Sequence, residues 1–210
     1  MRATQTPHFE GINHRDDGEL ARAAQGMPGF SFPPGQAPGL EHTAYFTPPQ
    51  ASYCNGTHVV EVEVDPMTGG VTLGRYTIAH DSGTIINPLI VDGQVQGGTA
   101  HGIGNALLER MQYDGGANPL TTTFQDYLLP SAPEVPGCNI LHIETPNPLN
   151  PIGVKGAGEG GTIPAPAAIV AAIEDALSPF GVRFAEMPLT PERVVAALRA
   201  AGAYDKLSAA

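Results

Sequence analysis

The chain's clearest periodicity begins at residue 57. Val60, Val62 and Val64 alternate with Glu61 and Glu63, a two-residue period that turns one face of a strand to a core and the other to water. Asp65-Pro66-Met67-Thr68-Gly69-Gly70 supplies turn-forming residues and Val71 to Ile78 returns, so the pattern predicts a β-hairpin. Asn87-Pro88 closes the loop after the second strand, and Leu89 to Met111 follows as a long helical candidate with Ile103, Leu107 and Met111 at i, i+4 and i+8. Its middle, Gly97-Gly98-Thr99-Ala100-His101-Gly102-Ile103-Gly104, is unusual, because each glycine costs a helix interior about 1 kcal/mol against alanine. The residues leave two neighbours open for these glycines, another helix or a ligand phosphate.

Thr121 to Leu129 and Asn139 to Thr145 read as further strands, separated by Pro130-Ser131-Ala132-Pro133. Ile169, Ile173 and Leu177 form the apolar stripe of a second helix that Gly181 ends, and Val182 to Glu186 reads as a short strand. Thr190-Pro191-Glu192 then provides an N-cap, a proline at N1 and an early acid for a terminal helix carrying Val194, Val195 and Leu198. The expected class is α+β, a mixed sheet with packed helices. Residues 1–50, rich in Pro and Gly, are expected to be an irregular arm with one helical candidate at Asp16 to Gln25, and 51–210 to hold the periodic domain.

Composition narrows the possible functions. Ten Lys plus Arg stand against 21 Asp plus Glu, a formal charge of −11, and no basic stripe with interleaved aromatics occurs, which argues against nucleic acid and anionic membranes as partners. The N-terminal residues Met1 to His8 lack an apolar signal core, and no segment approaches the roughly 18 apolar residues of a membrane span. The chain is therefore expected to be soluble and cytoplasmic. Cys54 and Cys138 are isolated in sequence, which supports neither a zinc site nor a redox pair; two buried free thiols are expected. The seven histidines are scattered, and none is assigned as a metal ligand.

Three constellations carry candidate chemistry. In Gly153-Val154-Lys155-Gly156-Ala157-Gly158-Glu159-Gly160-Gly161 a single carboxylate stands among five glycines, presented to whatever the bare backbone approaches. Gly156 to Gly161 also satisfies a dinucleotide-binding G-x-G-x-x-G, with Glu186 as a possible ribose acid, although a carboxylate inside a phosphate cradle works against that use. Alternatively Glu159 is a general base raised toward working pH by its surroundings, or simply an acid complementing the dipole of the helix that follows. Gln94 and Gln96, ahead of the glycine run, offer amide donors and acceptors to a polar heterocycle.

Several blocks together resemble one family. Val62-Glu63-Val64-Asp65-Pro66-Met67-Thr68-Gly69, the run Ile86 to Gly98 with its continuation through Gly102 and Gly104, the pair Asp126-Tyr127, and Pro148-Leu149-Asn150-Pro151 leading into Gly153 to Gly161 resemble, in order, the C-terminal part of the molybdopterin-binding large subunit of the xanthine dehydrogenase, aldehyde oxidase and carbon monoxide dehydrogenase family. The resemblance covers roughly two-thirds of the chain, from Val62 to Ala197. It implies oxidative hydroxylation of an aldehyde or N-heterocycle with water, with Glu159 beside the molybdenum as general base. Cofactor contacts are implied for Gln94, for Gly97, Gly98, Gly102 and Gly104 through their backbone amides, and for Lys155, Gly156 and Gly158. The cofactor would be molybdopterin with molybdenum, in its simple or cytosine-dinucleotide form.

The family's large subunit is several times longer, so the other half of the pocket is expected elsewhere and the chain is not expected to be active alone. Two separated cysteines cannot hold a [2Fe–2S] cluster. Iron–sulfur and FAD subunits are thus expected as partner chains, beside the remaining molybdopterin-binding portion. A split-gene subunit, a truncated fragment and a non-catalytic cofactor-holding module remain open.

Overall fold

A computed structural model of the protein describes residues 45–208. The arm expected over residues 1–50, with its helix at Asp16 to Gln25, lies largely outside the described residues. Strand β1 (Asn55–Val64) and strand β2 (Val71–Asp81) form the expected hairpin, paired antiparallel from Asn55 opposite Asp81 to Val64 opposite Val71. Asp65 closes the turn: its carbonyl accepts from the Gly69 amide and its carboxylate from the Met67 amide and the Thr68 hydroxyl. Gly69 adopts φ +73°, and any side chain there would overlap the Pro191 carbonyl.

Strand β3 (Cys138–His142) adds parallel to β2, with Tyr76 opposite Cys138 and His80 opposite His142. β2 is therefore the centre of a three-stranded mixed sheet of order β1-β2-β3. Its inward-facing Tyr76, Ile78 and His80 have no exposed surface, as the alternation on a central strand requires.

Helix α1 (Pro88–Leu107) starts at Asn87, whose side chain accepts from the Ile90 amide. Helix α2 (Pro164–Ala176) lies against both β1 and α1, and the expected stripe Ile169, Ile173 and Leu177 is buried. A short 3-10 turn, Ser178–Phe180, ends at Gly181 with φ +72°. Helix α3 (Pro191–Ala200) begins as expected, Thr190 accepting from the Arg193 amide, and α4 (Ala203–Ser208) follows. Val194 and Leu198 join Val95, Ile103 and Ala106 of α1 in the one core.

Three expectations are corrected. Thr121 to Leu129 is not a strand, because Asp126 accepts from the Thr122 and Thr123 amides and the Thr123 hydroxyl, a local alternative to ladder pairing. Val182 to Glu186 is irregular too, its Phe184 amide donating to Glu174 rather than to a neighbouring strand. Helix α1 stops at Leu107 instead of Met111, since the Leu108 and Glu109 amides both turn onto the Gly104 carbonyl. The cysteines are free as expected but only half-buried.

Candidate functional site

The segment 146–163 is held in shape at three places, by bonds within itself and to the rest of the fold. The side chain of Asn150 grips Val154 like a strand partner, accepting from its amide at 3.1 Å and donating to its carbonyl at 2.8 Å. Asn147, itself buried, adds a second donor to that carbonyl. The Gly153 carbonyl accepts from the Thr84 and Asn147 amides, and Gly153 sits at φ +74° with Thr84 Oγ1 and Pro146 where a Cβ would be.

Lys155 is the second fastening. Its amide donates to the Ser82 carbonyl and its Nζ lies 2.8 Å from Asp81 Oδ2. Both side chains are nearly inaccessible, at 11% and 12% exposure. Burial alone would push the Asp81 carboxyl up, but the Lys155 ammonium and the Gly83 and Thr145 amides outweigh it and hold the group below the usual carboxylate range. Lys155 thus serves an internal ion pair.

The third fastening is the floor beneath Gly160 and Gly161. A Cβ on Gly161 would overlap the Val95 carbonyl of α1, and one on Gly160 would overlap His80 Cε1 and sit 2.9 Å from Cys54 Sγ. From the α1 side, a Cβ on Gly98 would lie 2.9 Å from the Thr162 amide, and one on Gly102 would lie 2.5 Å from the Ala165 methyl. These glycines let α1 and the start of α2 approach closely. Gly104 makes room for the Glu109 carboxylate, which accepts from the Tyr127 hydroxyl at 2.6 Å and raises that phenol's pKa.

The glycines of α1 therefore divide. Gly98, Gly102 and Gly104 face protein, and helix-interior amides already donate to carbonyls four residues back. At these three positions the structure shows close packing against protein. Gly93 and Gly97 differ, since a Cβ at either would meet nothing within 4 Å. Gly156 stays exposed but bridges to Tyr53, its amide donating to the Ser52 carbonyl.

What remains on the exposed side is compact. Gln94, one turn before Gly98 on α1, points its Nε2 to within 3.8 Å of where a Gly158 Cβ would stand. Glu159 follows directly and is exposed, its carbonyl accepting from the Thr162 and Ile163 amides as the chain turns into α2. Gln96 is exposed as well. The Gly158 and Glu159 amides donate to no protein acceptor among the described residues. Two cavities, of about 230 and 340 Å³, are lined by neither Gln94 nor Glu159, and both of these residues are exposed, as on an open wall. Among the described residues, no cluster of three or more His, Cys, Asp or Glu is arranged to hold a metal ion.

A dinucleotide cradle is poorly matched here. Turns, not a parallel strand, lead into Gly156, and Glu186 does not end a strand. A flat heterocycle with donors and acceptors on its edges fits better, because Gln94 supplies both kinds of group, Gly97 leaves the helix face bare, and the Gly158 and Glu159 amides are unengaged among the described residues.

Residues 9–136 match the molybdopterin cofactor-binding domain. The chain belongs to the molybdenum hydroxylase family. It is 46% identical over 168 residues to the nicotine 6-hydroxylase large subunit of Paenarthrobacter nicotinovorans, covering 80% of this chain and 21% of that protein. It is 38% identical over 167 residues to the carbon monoxide dehydrogenase large chain of Hydrogenophaga pseudoflava, again 80% of this chain and 21% of the relative. Among solved structures, quinoline 2-oxidoreductase from Pseudomonas putida 86 superposes with a TM-score of 0.75 at 44% identity, over 80% of this chain and 21% of that one. The chain thus spans about a fifth of the length of these relatives. The domain match ends at 136, before Glu159. A contiguous stretch of 168 residues in a chain of 210 necessarily includes the 153–161 loop.

Sequence reasoning missed Asp81, His80, Asn147 and Asn150 as the residues that hold this wall. Their signal was a set of polar residues at inward or turn positions, which becomes informative only once β2 is known to be central.

Proposed function

We propose that this chain is the Glu159-bearing wall of a molybdenum hydroxylase active site, within a complex that hydroxylates an N-heterocycle with water. The observation that carries this is the approach of the Gln94 amide to Gly158, the residue before the exposed Glu159, with the bare helix position Gly97 three residues further along α1. Glu159 takes the proton from the oxygen nucleophile as it attacks the substrate carbon, the work of a placed general base. Gln94 and the Gly158 and Glu159 amides hold the polar edge of the pterin, and Gly97 lets it lie against α1. When bound, the molybdenum–pterin group supplies the redox chemistry, accepting the electrons that leave the substrate carbon.

The wall is open, so the opposite side and the exclusion of water come from the remaining portion of the large subunit. The two cysteines of the chain fall short of the four thiolates a [2Fe–2S] cluster takes, so an iron–sulfur centre of the complex lies outside these 210 residues. An N-heterocycle is preferred to an aldehyde because nicotine 6-hydroxylase and quinoline 2-oxidoreductase, two relatives named for such substrates, share 46% and 44% identity with this chain.

Glu159→Gln in the assembled complex tests the assignment. Turnover is expected to fall by roughly 10²–10⁴-fold, the usual contribution of a general base, with molybdenum and pterin content unchanged. Surviving activity would refute the base. Loss of cofactor in step with activity would favour a cofactor-holding role instead.

A further inference from the structure

His80 is the least expected residue beneath this wall. It lies on the central strand, fully buried, between Gly56 of β1 and His142 of β3. Neither ring nitrogen has a hydrogen-bond partner among the described residues. An imidazole normally satisfies at least one nitrogen when buried, because an unmade hydrogen bond costs the desolvation of that group. Its Cε1 edge occupies the place a side chain at Gly160 would need, next to Cys54 Sγ, and Nδ1 lies 3.6 Å from where a Gly56 Cβ would stand. The ring is therefore the surface on which the residue after Glu159 rests.

We propose that His80 is a positioning residue for Glu159: its neutral imidazole supports Gly160, and protonation of the ring releases the Glu159 loop from the sheet. The proposal rests on the assignment of Glu159 as the base. Among the described residues neither ring nitrogen has a hydrogen-bond partner, so an added proton would create a buried cation without a hydrogen-bonded counterion. The charged and titratable groups around it do not supply one. Asp81 is engaged by Lys155, His142 by Asp92 of α1 at 2.6 Å, and His58 on β1 by the Tyr76 hydroxyl at 2.9 Å, while Glu159 stands on the exposed side of the loop. Burial and, after it, the field of His142 lower the His80 pKa from 6.5, against a smaller opposite effect of Asp81. A group whose pKa is lower in the closed state favours closure above its free pKa, and that preference is lost as pH falls below it.

Hydrogen exchange on the full chain reads this without cofactor or turnover. The Thr162 and Ile163 amides, both bonded to the Glu159 carbonyl, report the loop, and the β1–β2 ladder amides serve as the internal reference. Below pH 6.5 the loop protection factors are expected to fall by up to about tenfold per pH unit while the ladder amides hold theirs. In His80→Met, which keeps side-chain volume without a titrating group, the loop should be flat over the same range. Loop protection in the native chain that tracks the ladder at every pH would overturn the proposal, as would a His80→Met loop that keeps the native pH dependence. Failure here leaves the Glu159→Gln test intact. If Glu159 proves not to be the base, the exchange result still stands as a property of the loop.

Discussion

Lys155 stands four residues before Glu159, and its charge is held inside the fold rather than offered to a ligand. Replacing it with Met would leave the Asp81 carboxylate buried with only the Gly83 and Thr145 amides as partners. Breaking a buried pair by removing one member costs about 3–5 kcal/mol. Urea unfolding of Lys155→Met should show a loss of that order, and adding Asp81→Asn should recover much of it, since the cost lies in the orphaned charge. A Lys155→Met chain of native stability would mean that the ion pair adds little to the fold.

Helix α1 carries glycines with opposite duties, which two alanine substitutions separate. At Gly102 the new methyl would sit 2.5 Å from Ala165 Cβ, and overpacking of this kind costs about 1–3 kcal/mol. At Gly97 nothing lies within 4 Å, so Ala should stabilise the isolated helix by up to about 1 kcal/mol. If the pterin lies against that face, Gly97→Ala should raise the unfolding midpoint yet lower molybdenum and pterin content in the assembled complex. A chain that gains stability and keeps full cofactor would remove Gly97 from the site. The sequence alone could not make this division: five glycines in one helix announce a close neighbour, but not which of them meets α2 and which meets open space. The hairpin, the α2 stripe and the Thr190 cap were legible because each is a local pattern. The Thr121–Leu129 segment was misread because its threonines and aromatics have strand propensity, while Asp126 satisfies the same amides within a few residues.

At the scale of the whole molecule, buried titratable groups give stability a defined acid profile. His58, part-buried on β1 and bonded to Tyr76, is lowered from 6.5 to about 4, chiefly by burial and then by the field of His80. Because the folded value lies below the unfolded one, the unfolded chain binds more protons in this range, and stability falls as pH drops from 6.5 toward 4. Allowing for solvent at a half-buried site, the loss from His58 is roughly 2 kcal/mol. Asp81 acts in a separate window: its carboxyl is depressed, so its contribution is present above the ordinary 3.8 and declines only below it. Urea midpoints across pH should therefore hold level above 7, decline between 6.5 and 4, and decline again in stronger acid. His58→Gln should make the first decline shallower and leave the second. Asp81→Asn paired with Lys155→Met should do the reverse. A single decline confined to strong acid would mean that neither buried imidazole is linked to folding, and the support beneath Gly160 would then have to be purely steric.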